Sequence, residues 1–309
     1  MERFDGTASL PRAYRDGVVA LGNFDGFHLG HQAVVGRVVE RARAEGRPAL
    51  VGTFDPHPAR FFTPALEPIA LTTMEQRLTL MAAAGVDAAV VWRFDAALAV
   101  VSAADFMVDA LAGMIGAAHV VTGWDFTFGA KRGGGAAMLA ELGPGMGYTA
   151  EALGAVMLDG APVSSTRVRE ALRDGRPDAA ARLLGRPFTI AGSIEHGAKL
   201  GRTLGFPTAN MRLGDYVRPA YGVYAVRVVL PDGERRDGVA NLGVRPMFEP
   251  PIELLETYLF EFEGDLYGRE VEVELVAYLR PEWKLDGLDA LVRQVAADKA
   301  AAQAVLAAG

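Results

Sequence analysis

The chain has no cysteine among its 309 residues, which removes disulfides, thiolate nucleophiles and cysteine-ligated zinc from its chemistry. It has no excess of positive charge either: 31 Lys and Arg against 38 Asp and Glu leave a formal net charge of −7. A sequence-independent grip on nucleic acid needs a basic face to neutralise phosphates, so no nucleic-acid partner is expected. Uncharged runs are short, and none approaches the roughly 20 residues of a membrane span. Residues 1–15 carry Glu2, Arg3, Asp5, Arg12 and Arg15 and no apolar core of a signal peptide. The expectation is a cytoplasmic protein with no membrane partner.

What is present is enough apolar residue for sizeable cores, 50% of the chain, with 22% charged. A chain of this length is too long for one typical core, so two domains are expected. From residue 17 to about 150, short apolar runs at 18–21, 49–54, 88–92 and 119–122 alternate with helical patterns at 31–45, 73–84 and 102–114. That alternation predicts an α/β domain with a Rossmann-like parallel sheet. Near Gly185, Arg186 and Pro187 the pattern changes to strands at 188–195, 221–230, 235–241, 256–262 and 270–279, closed by a helix over 286–306. A mainly-β barrel with a terminal helix is expected there. The domains are read as 1–184 and 185–309.

Histidine is scarce, with five in the chain, and two of them, His28 and His31, flank Gly30 in the string Gly22-Asn23-Phe24-Asp25-Gly26-Phe27-His28-Leu29-Gly30-His31. This string falls between the first expected strand and the first expected helix, so both side chains sit near the positive end of a helix dipole. An imidazole N–H donates to phosphate oxygens, and donors aimed where charge accumulates accelerate phosphate transfer. Two turn histidines with ordinary hydrogen bonds are the other reading. His57, in Asp55-Pro56-His57-Pro58, follows the second strand on the same carboxyl edge, where open α/β sheets bind ligands. It reads as a site residue or a loop residue, and Phe61 and Phe62 as core or as faces for a flat ring. Ser164-Ser165-Thr166 opens a helix with Arg169 one turn on. Such a start is a hydroxyl cap, or, with its free N–H groups and the guanidinium, an anion site suited to a triphosphate.

In the second half, Gly197, Gly201 and Gly205 precede Phe206-Pro207-Thr208-Ala209-Asn210. The Gly-Lys-Ser/Thr ending of a P-loop is absent. Glycines let a backbone flap close over phosphates, and Thr208 and Asn210 offer neutral oxygens to Mg²⁺ and phosphate. A commonplace glycine-rich turn is the alternative.

His28-Leu29-Gly30-His31 with Ser164 to Arg169 resembles the nucleotidylyltransferase superfamily, and residues 21–31 with Thr53-Phe54-Asp55-Pro56-His57-Pro58 look like its bacterial FAD synthetase branch. A bare His-x-Gly-His also occurs in class I aminoacyl-tRNA synthetases, but their Lys-Met-Ser-Lys-Ser-type loop and greater length are missing. The resemblance implies an α/β N-terminal nucleotidylyltransferase domain in which FMN phosphate attacks the α-phosphorus of ATP, giving FAD and pyrophosphate. His28 and His31 would stabilise the pentavalent phosphorus. Gly22, Asn23, Phe24, Asp25 and Gly30 would shape the ATP pocket, with Ser164, Ser165, Thr166 and Arg169 on phosphates. Gly123-Trp124-Asp125-Phe126-Thr127-Phe128-Gly129 matches the family's Gly-x-(Asp/Asn)-Phe-x-Phe-Gly segment, so His57, Phe62, Asp125 and Phe128 are the expected flavin contacts.

Gly201-Arg202-Thr203-Leu204-Gly205-Phe206-Pro207-Thr208-Ala209-Asn210 resembles the signature of riboflavin kinase, and the order of the halves is that of the bacterial bifunctional riboflavin kinase/FAD synthetase family. The resemblance implies transfer of the ATP γ-phosphoryl group to the ribityl 5′-hydroxyl of riboflavin, giving FMN. Gly201 and Gly205 would lie over ATP, Thr208 and Asn210 would hold Mg²⁺, and Glu256 aligns with the catalytic Glu. Glu253, three residues upstream, is the competing base. Two departures stand out: Arg245-Pro246-Met247-Phe248 replaces a Thr by Met, and Tyr258 replaces a His. Altered kinetics, first in flavin affinity, are expected of them. Neither motif holds enough Lys or Arg to neutralise ATP, so both reactions are expected to need Mg²⁺. A chain with one active module, or a flavin sensor without turnover, is the competing expectation, and oligomeric state is left open.

Overall fold

The computed structural model describes residues 1–63, 65–196, 205–245, 252–284 and 286–308. The chain divides into two compact units, Met1–Glu67 with Met74–Ser164 and Pro68–Thr73 with Ser165–Gly309.

The first unit is built on a six-stranded sheet of β1 (Glu2–Phe4), β2 (Val18–Leu21), β3 (Ala49–Asp55), β4 (Ala88–Arg93), β5 (His119–Gly123) and β6 (Thr149–Leu153), in the order β1-β4-β3-β2-β5-β6. Every pairing is parallel. Both faces are buried, so the strands read as continuous apolar runs. Alternate residues feed different cores: Val19 and Leu21 join Leu50, Trp92, Phe106 and Leu111, whereas Val18 and Ala20 join Val35, Val38 and Val51. Helix α1 (Leu29–Glu45) covers the second face with Val34, Val35, Val38, Val39 and Ala42, one stripe at helical spacing. Each of its buried valines contributes about 1.5–3 kcal/mol relative to exposure. Gly46, in the left-handed region at φ 64°, ends the helix. The strand order reverses direction between β2 and β5, and that point of the carboxyl edge is where open α/β sheets take ligands.

Two strands of this sheet, β1 and β6, are additional to the four expected. Glu2–Phe4 is three residues long, too short for a periodic signal, and Thr149–Leu153 is half exposed at a sheet edge. The helix expected over 102–114 is capped by Ser102 and begins with Ala103–Asp105, but Phe106–Ile115 is wound as a wider π-helix. In its last turn, where helix carbonyls have no intrahelical donor, Gly113 O and Met114 O accept from Arg15 Nη1, and Met114 O also from Leu10 N.

The second unit carries two helices, α2 (Ser165–Arg173) and α3 (Pro177–Leu184), before the strands begin. Leu172 O of α2 accepts from Ala220 N at 2.9 Å. The strands are β7 (Phe188–Ser193), β8 (Ala209–Met211), β9 (Gly222–Val229), β10 (Arg235–Arg245), β11 (Ile252–Leu259) and β12 (Glu270–Arg280), ordered β7-β12-β9-β10-β11-β8 and antiparallel throughout. Beyond β7, Glu195 bridges Asn210 of β8 and so links the two edges of the sheet into a barrel. Helix α4 (Leu288–Ala307) packs Ala302 and Leu306 against Val223, Ala225, Val239 and Phe260. Strand β11 begins four residues before the expected 256–262, and Glu261 at φ 51° lies beyond its end, so Glu256 stands in mid-strand rather than at a strand start.

Candidate active sites

In the first unit the β2–α1 turn is shaped by backbone strain and pinned from outside. Phe24 and Phe27 hold φ of 53° and 43°, a region that L side chains seldom enter. Phe24 is buried, and its ring lies where a Cβ on Gly22 would come within 3.0 Å of it, so Gly22 is required for close approach. Asn23 O accepts from Arg77 Nη1 at 2.9 Å and from Thr53 Oγ1 at 3.2 Å. Asp25, 2% exposed, faces Arg77 Nη2 at 3.5 Å. Phe27 O accepts from Gln32 Nε2 at 2.8 Å.

This frame presents the two histidines. His28 is the N-cap of α1: its Nδ1 accepts from His31 N at 3.3 Å, satisfying one of the helix's open donors. An accepting Nδ1 places the proton of the neutral ring on Nε2. The rings stack with centroids 3.6 Å apart and 18° between planes, and Phe24 meets the His31 ring edge-on at 5.3 Å. Gly30 sits against the pair, where a Cβ would come within 3.1 Å of His28 Cε1. Arg77, Thr53 and Gln32 were not singled out from sequence. Arg77 left a signal, a charged residue in phase with the buried Leu78 and Met81 of its helix.

His57 caps the short helix Pro58–Phe62, its Nδ1 accepting from Ala59 N at 3.2 Å. Phe62 is 64% exposed and packs edge-on with Phe61 and Phe94 at 5.3 and 5.7 Å. Asp125 is exposed, while Phe128 is buried beside Phe106 and stacks on the half-buried Phe126 with centroids 5.9 Å apart. Ser164 ends the first unit; Ser165, Thr166 and Arg169 belong to α2 in the second, where Arg169 Nε donates to Ile69 O at 2.7 Å.

In the barrel the register aligns the candidates. Glu256 of β11 is opposite Asn210 of β8 on one side and Asn241 of β10 on the other, whereas Glu253 is opposite Val244. Side chains directly opposite share a face. Glu256 Oε2 accepts from both Arg245 Nε, at 3.1 Å, and Arg245 Nη2, and Oε1 has no partner among the described residues. Burial pulls the Arg245 guanidinium down, but hydrogen bonds and charge from Glu256 and Glu282 outweigh it and hold it above its ordinary value. Glu253 is committed elsewhere, to Arg218 Nε at 2.6 Å and to the Tyr221 hydroxyl. Asn210 is buried, and its Nδ2 donates to Thr208 O at 3.4 Å. Gly205, at φ 85°, and Thr208 precede it in the chain. Gly201 and Met247 lie outside the described residues. Among the described residues no group of three or more His, Cys, Asp or Glu could hold a metal ion.

Comparison with known proteins matches residues 10–167 to the FAD synthetase family and residues 184–306 to the riboflavin kinase family. The chain is 43% identical over 308 residues to a bifunctional riboflavin kinase/FMN adenylyltransferase of Pseudomonas fluorescens, covering 99% of this chain and 98% of that one. It is 38% identical over 304 residues to the protein of the same description from Haemophilus influenzae, covering 98% and 99%. A crystal structure described as a macrolide-efflux protein from Streptococcus pneumoniae superposes with a TM-score of 0.84 at 30% identity, covering 96% of each chain. Among the described residues no helix is long and apolar enough to cross a membrane.

Proposed function

The chain belongs to the bifunctional riboflavin kinase/FMN adenylyltransferase family, and we propose which of its residues carry each of the two reactions. It phosphorylates riboflavin to FMN with ATP and then adenylylates FMN with ATP to give FAD and pyrophosphate. The functional modules are taken as 1–184 and 185–309, with the cytoplasm as the compartment that supplies ATP to both.

For adenylyl transfer the supporting observation is that His28 spends Nδ1 on its own helix. In that tautomer Nε2–H is the donor that His28 would present to phosphate oxygens, and the stacked His31 is fixed relative to it. Both serve charge that builds on phosphorus and on the departing pyrophosphate. Gly22, Asn23, Phe24, Asp25 and Gly30 shape the nucleotide's approach. Ser164, Ser165, Thr166 and Arg169 are kept as ATP contacts, and His57, Phe62, Asp125 and Phe128 as flavin contacts, on the resemblance of their motifs. Phe62 offers an exposed ring, whereas Phe128 acts from the core through its stack with Phe126.

For phosphoryl transfer the supporting observation is the open Oε1 of Glu256. Among the described residues its carboxylate is held through Oε2 alone, in line with Asn210, so Oε1 is the base that takes the 5′-hydroxyl proton of riboflavin as the γ-phosphoryl group arrives. Thr208 and Asn210 fit Mg²⁺, a hard cation that accepts neutral oxygens and completes its shell with water and phosphate. When bound, the ion neutralises phosphate charge. Gly201 and Gly205 belong to the segment proposed to cover ATP.

The test is product analysis by chromatography with riboflavin, Mg²⁺ and ATP. His28→Ala with His31→Ala stops FAD formation and spares FMN formation, and Glu256→Ala does the reverse when FMN is supplied for the second step. Unchanged FAD formation in the double variant would remove the histidines from catalysis.

A further inference from the structure

Glu282 follows β12 and belongs to neither nucleotide motif. Its Oε1 accepts from Asn241 Nδ2 at 3.0 Å and from Arg245 Nη1 at 3.1 Å. Both donors lie on β10, and Asn241 is the register partner of Glu256. Because Nε and Nη2 of the same guanidinium hold Glu256 Oε2, one arginine is shared between two carboxylates. The Glu282 carboxylate lies directly against Gly243, where any Cβ would overlap it. Its position is braced from behind. Arg280 Nη1 donates to Pro281 O at 2.9 Å, and the same side chain pairs in a bidentate way with Asp298 of α4, at 2.8 and 2.6 Å. Gln294 Nε2 adds a third bond to Asp298 at 2.9 Å.

A guanidinium released from other partners prefers to engage both oxygens of a carboxylate with two parallel N–H donors. Such pairing at Glu256 would occupy Oε1, the oxygen needed for the incoming hydroxyl, and would concentrate the full positive charge on the base. Resting on the reading of Glu256 as that base, we propose that Glu282 is a positioning residue for phosphoryl transfer. It draws the Nη1 end of Arg245 away and fixes Asn241, so that Arg245 grips Glu256 through Oε2 and leaves Oε1 open on its side.

Among the described residues Arg245 is the cation on Glu256, β8 and β10 place the neutral Asn210 and Asn241 opposite it, and Glu253 of its own strand is engaged by Arg218 and Tyr221. Removing the Glu282 carboxylate leaves the Nη1 end of Arg245 without its acceptor, so the guanidinium can turn onto both oxygens of Glu256.

The experiment uses the full chain and compares Glu282→Gln, Glu282→Ala and Glu256→Gln. In both Glu282 variants kinase kcat is expected to fall about tenfold with KM for riboflavin and ATP within about twofold, the signature of a defect in the chemical step. FAD formation from supplied FMN stays at the wild-type rate and serves as the internal standard. Should Glu282→Ala unfold, the near-isosteric Glu282→Gln carries the test. Wild-type kcat in Glu282→Gln would overturn the proposal while an inactive Glu256→Gln left the base assignment standing. An active Glu256→Gln would overturn both.

Discussion

Replacing Gly30 by Ala isolates the histidine pair with the smallest perturbation available. The new methyl would stand 3.1 Å from His28 Cε1 and 3.2 Å from Nδ1, closer than side-chain carbons ordinarily approach. The ring must retreat by a few tenths of an ångström. The His31 N to His28 Nδ1 bond is already 3.3 Å long, so that retreat breaks it, at a cost of about 1 kcal/mol. Better helix propensity of Ala returns up to about 1 kcal/mol, and global stability hardly changes. Chemistry does not share this compensation. A misplacement of about 1 Å costs on the order of 10²-fold, so a few tenths should lower kcat for FAD formation by roughly three- to tenfold. Gly36→Ala is the control: the site is exposed with nothing within 4 Å, so it should stabilise the chain by about 1 kcal/mol and alter neither activity. Steady-state rates of FMN formation and FAD formation, measured separately alongside urea unfolding, read all of this. A Gly30→Ala enzyme that makes FAD at the wild-type rate, or loses FMN formation equally, would refute the reasoning.

Arg77→Met should destabilise the first unit by about 3 kcal/mol or more, because the cation beside buried Asp25 and the donor to Asn23 O are lost together; differential scanning calorimetry checks the loss, and FAD formation should fall with it. Burial, and then the charge of Arg41, hold His119 below its ordinary imidazole value. Its folded form therefore binds its proton less readily than the unfolded chain, so its contribution to stability is present at neutral pH and is lost as pH falls below about 6.5. Urea midpoints between pH 7.5 and 5 should show that slope, and His119→Gln should flatten it. Chelation of Mg²⁺ should stop both reactions, and added Mg²⁺ should restore them; FMN formation that survives chelation would contradict the assignment of Thr208 and Asn210.

The parallel sheet was legible because both its faces are buried, which turns strands such as Val18–Leu21 and Ala49–Asp55 into unbroken apolar runs bounded by turns. Edge strands carry no such pattern: Glu2–Phe4 and Thr149–Leu153 are too short or too exposed, and their membership of the sheet is set by partners far along the chain. The positions of His28, His31, Thr208, Asn210 and Glu256 were readable as motifs. What holds them was not. Arg77 reaches Asn23 across 54 residues and Glu282 reaches Asn241 across 41, and no local spacing records such pairs. Glu253 and Glu256 look interchangeable as letters three apart, but the period of a strand places an odd separation on opposite faces. The register with Asn210 and the engagement of Glu253 by Arg218 then separate them.

The same register gives the Tyr258 departure a physical setting. Two residues from Glu256 along β11, Tyr258 shares its face, and its ring meets Phe206 edge-on at 5.8 Å and Phe260 at 5.8 Å. Lys299 of α4 sits 5.7 Å above the Tyr258 ring and 5.5 Å above that of Phe260. Phe206 belongs to the segment that leads to Thr208, so the substituted ring joins three parts of the proposed site: the strand of the proposed base, the segment of Thr208 and Asn210, and the terminal helix. A histidine at 258 is smaller and polar, and would exchange part of that apolar and cation–π contact for a hydrogen-bonding group. The terminal helix thus approaches the proposed kinase residues twice, through Lys299 on Tyr258 and through Asp298 on Arg280 and the Pro281-Glu282 segment. These two neighbouring residues on one helix tie Tyr258, on the face of Glu256, and Arg280, next to the Pro281-Glu282 segment, to the same helix. The expected effect of the substitution is therefore on substrate positioning, with the proposed proton-accepting oxygen itself left intact.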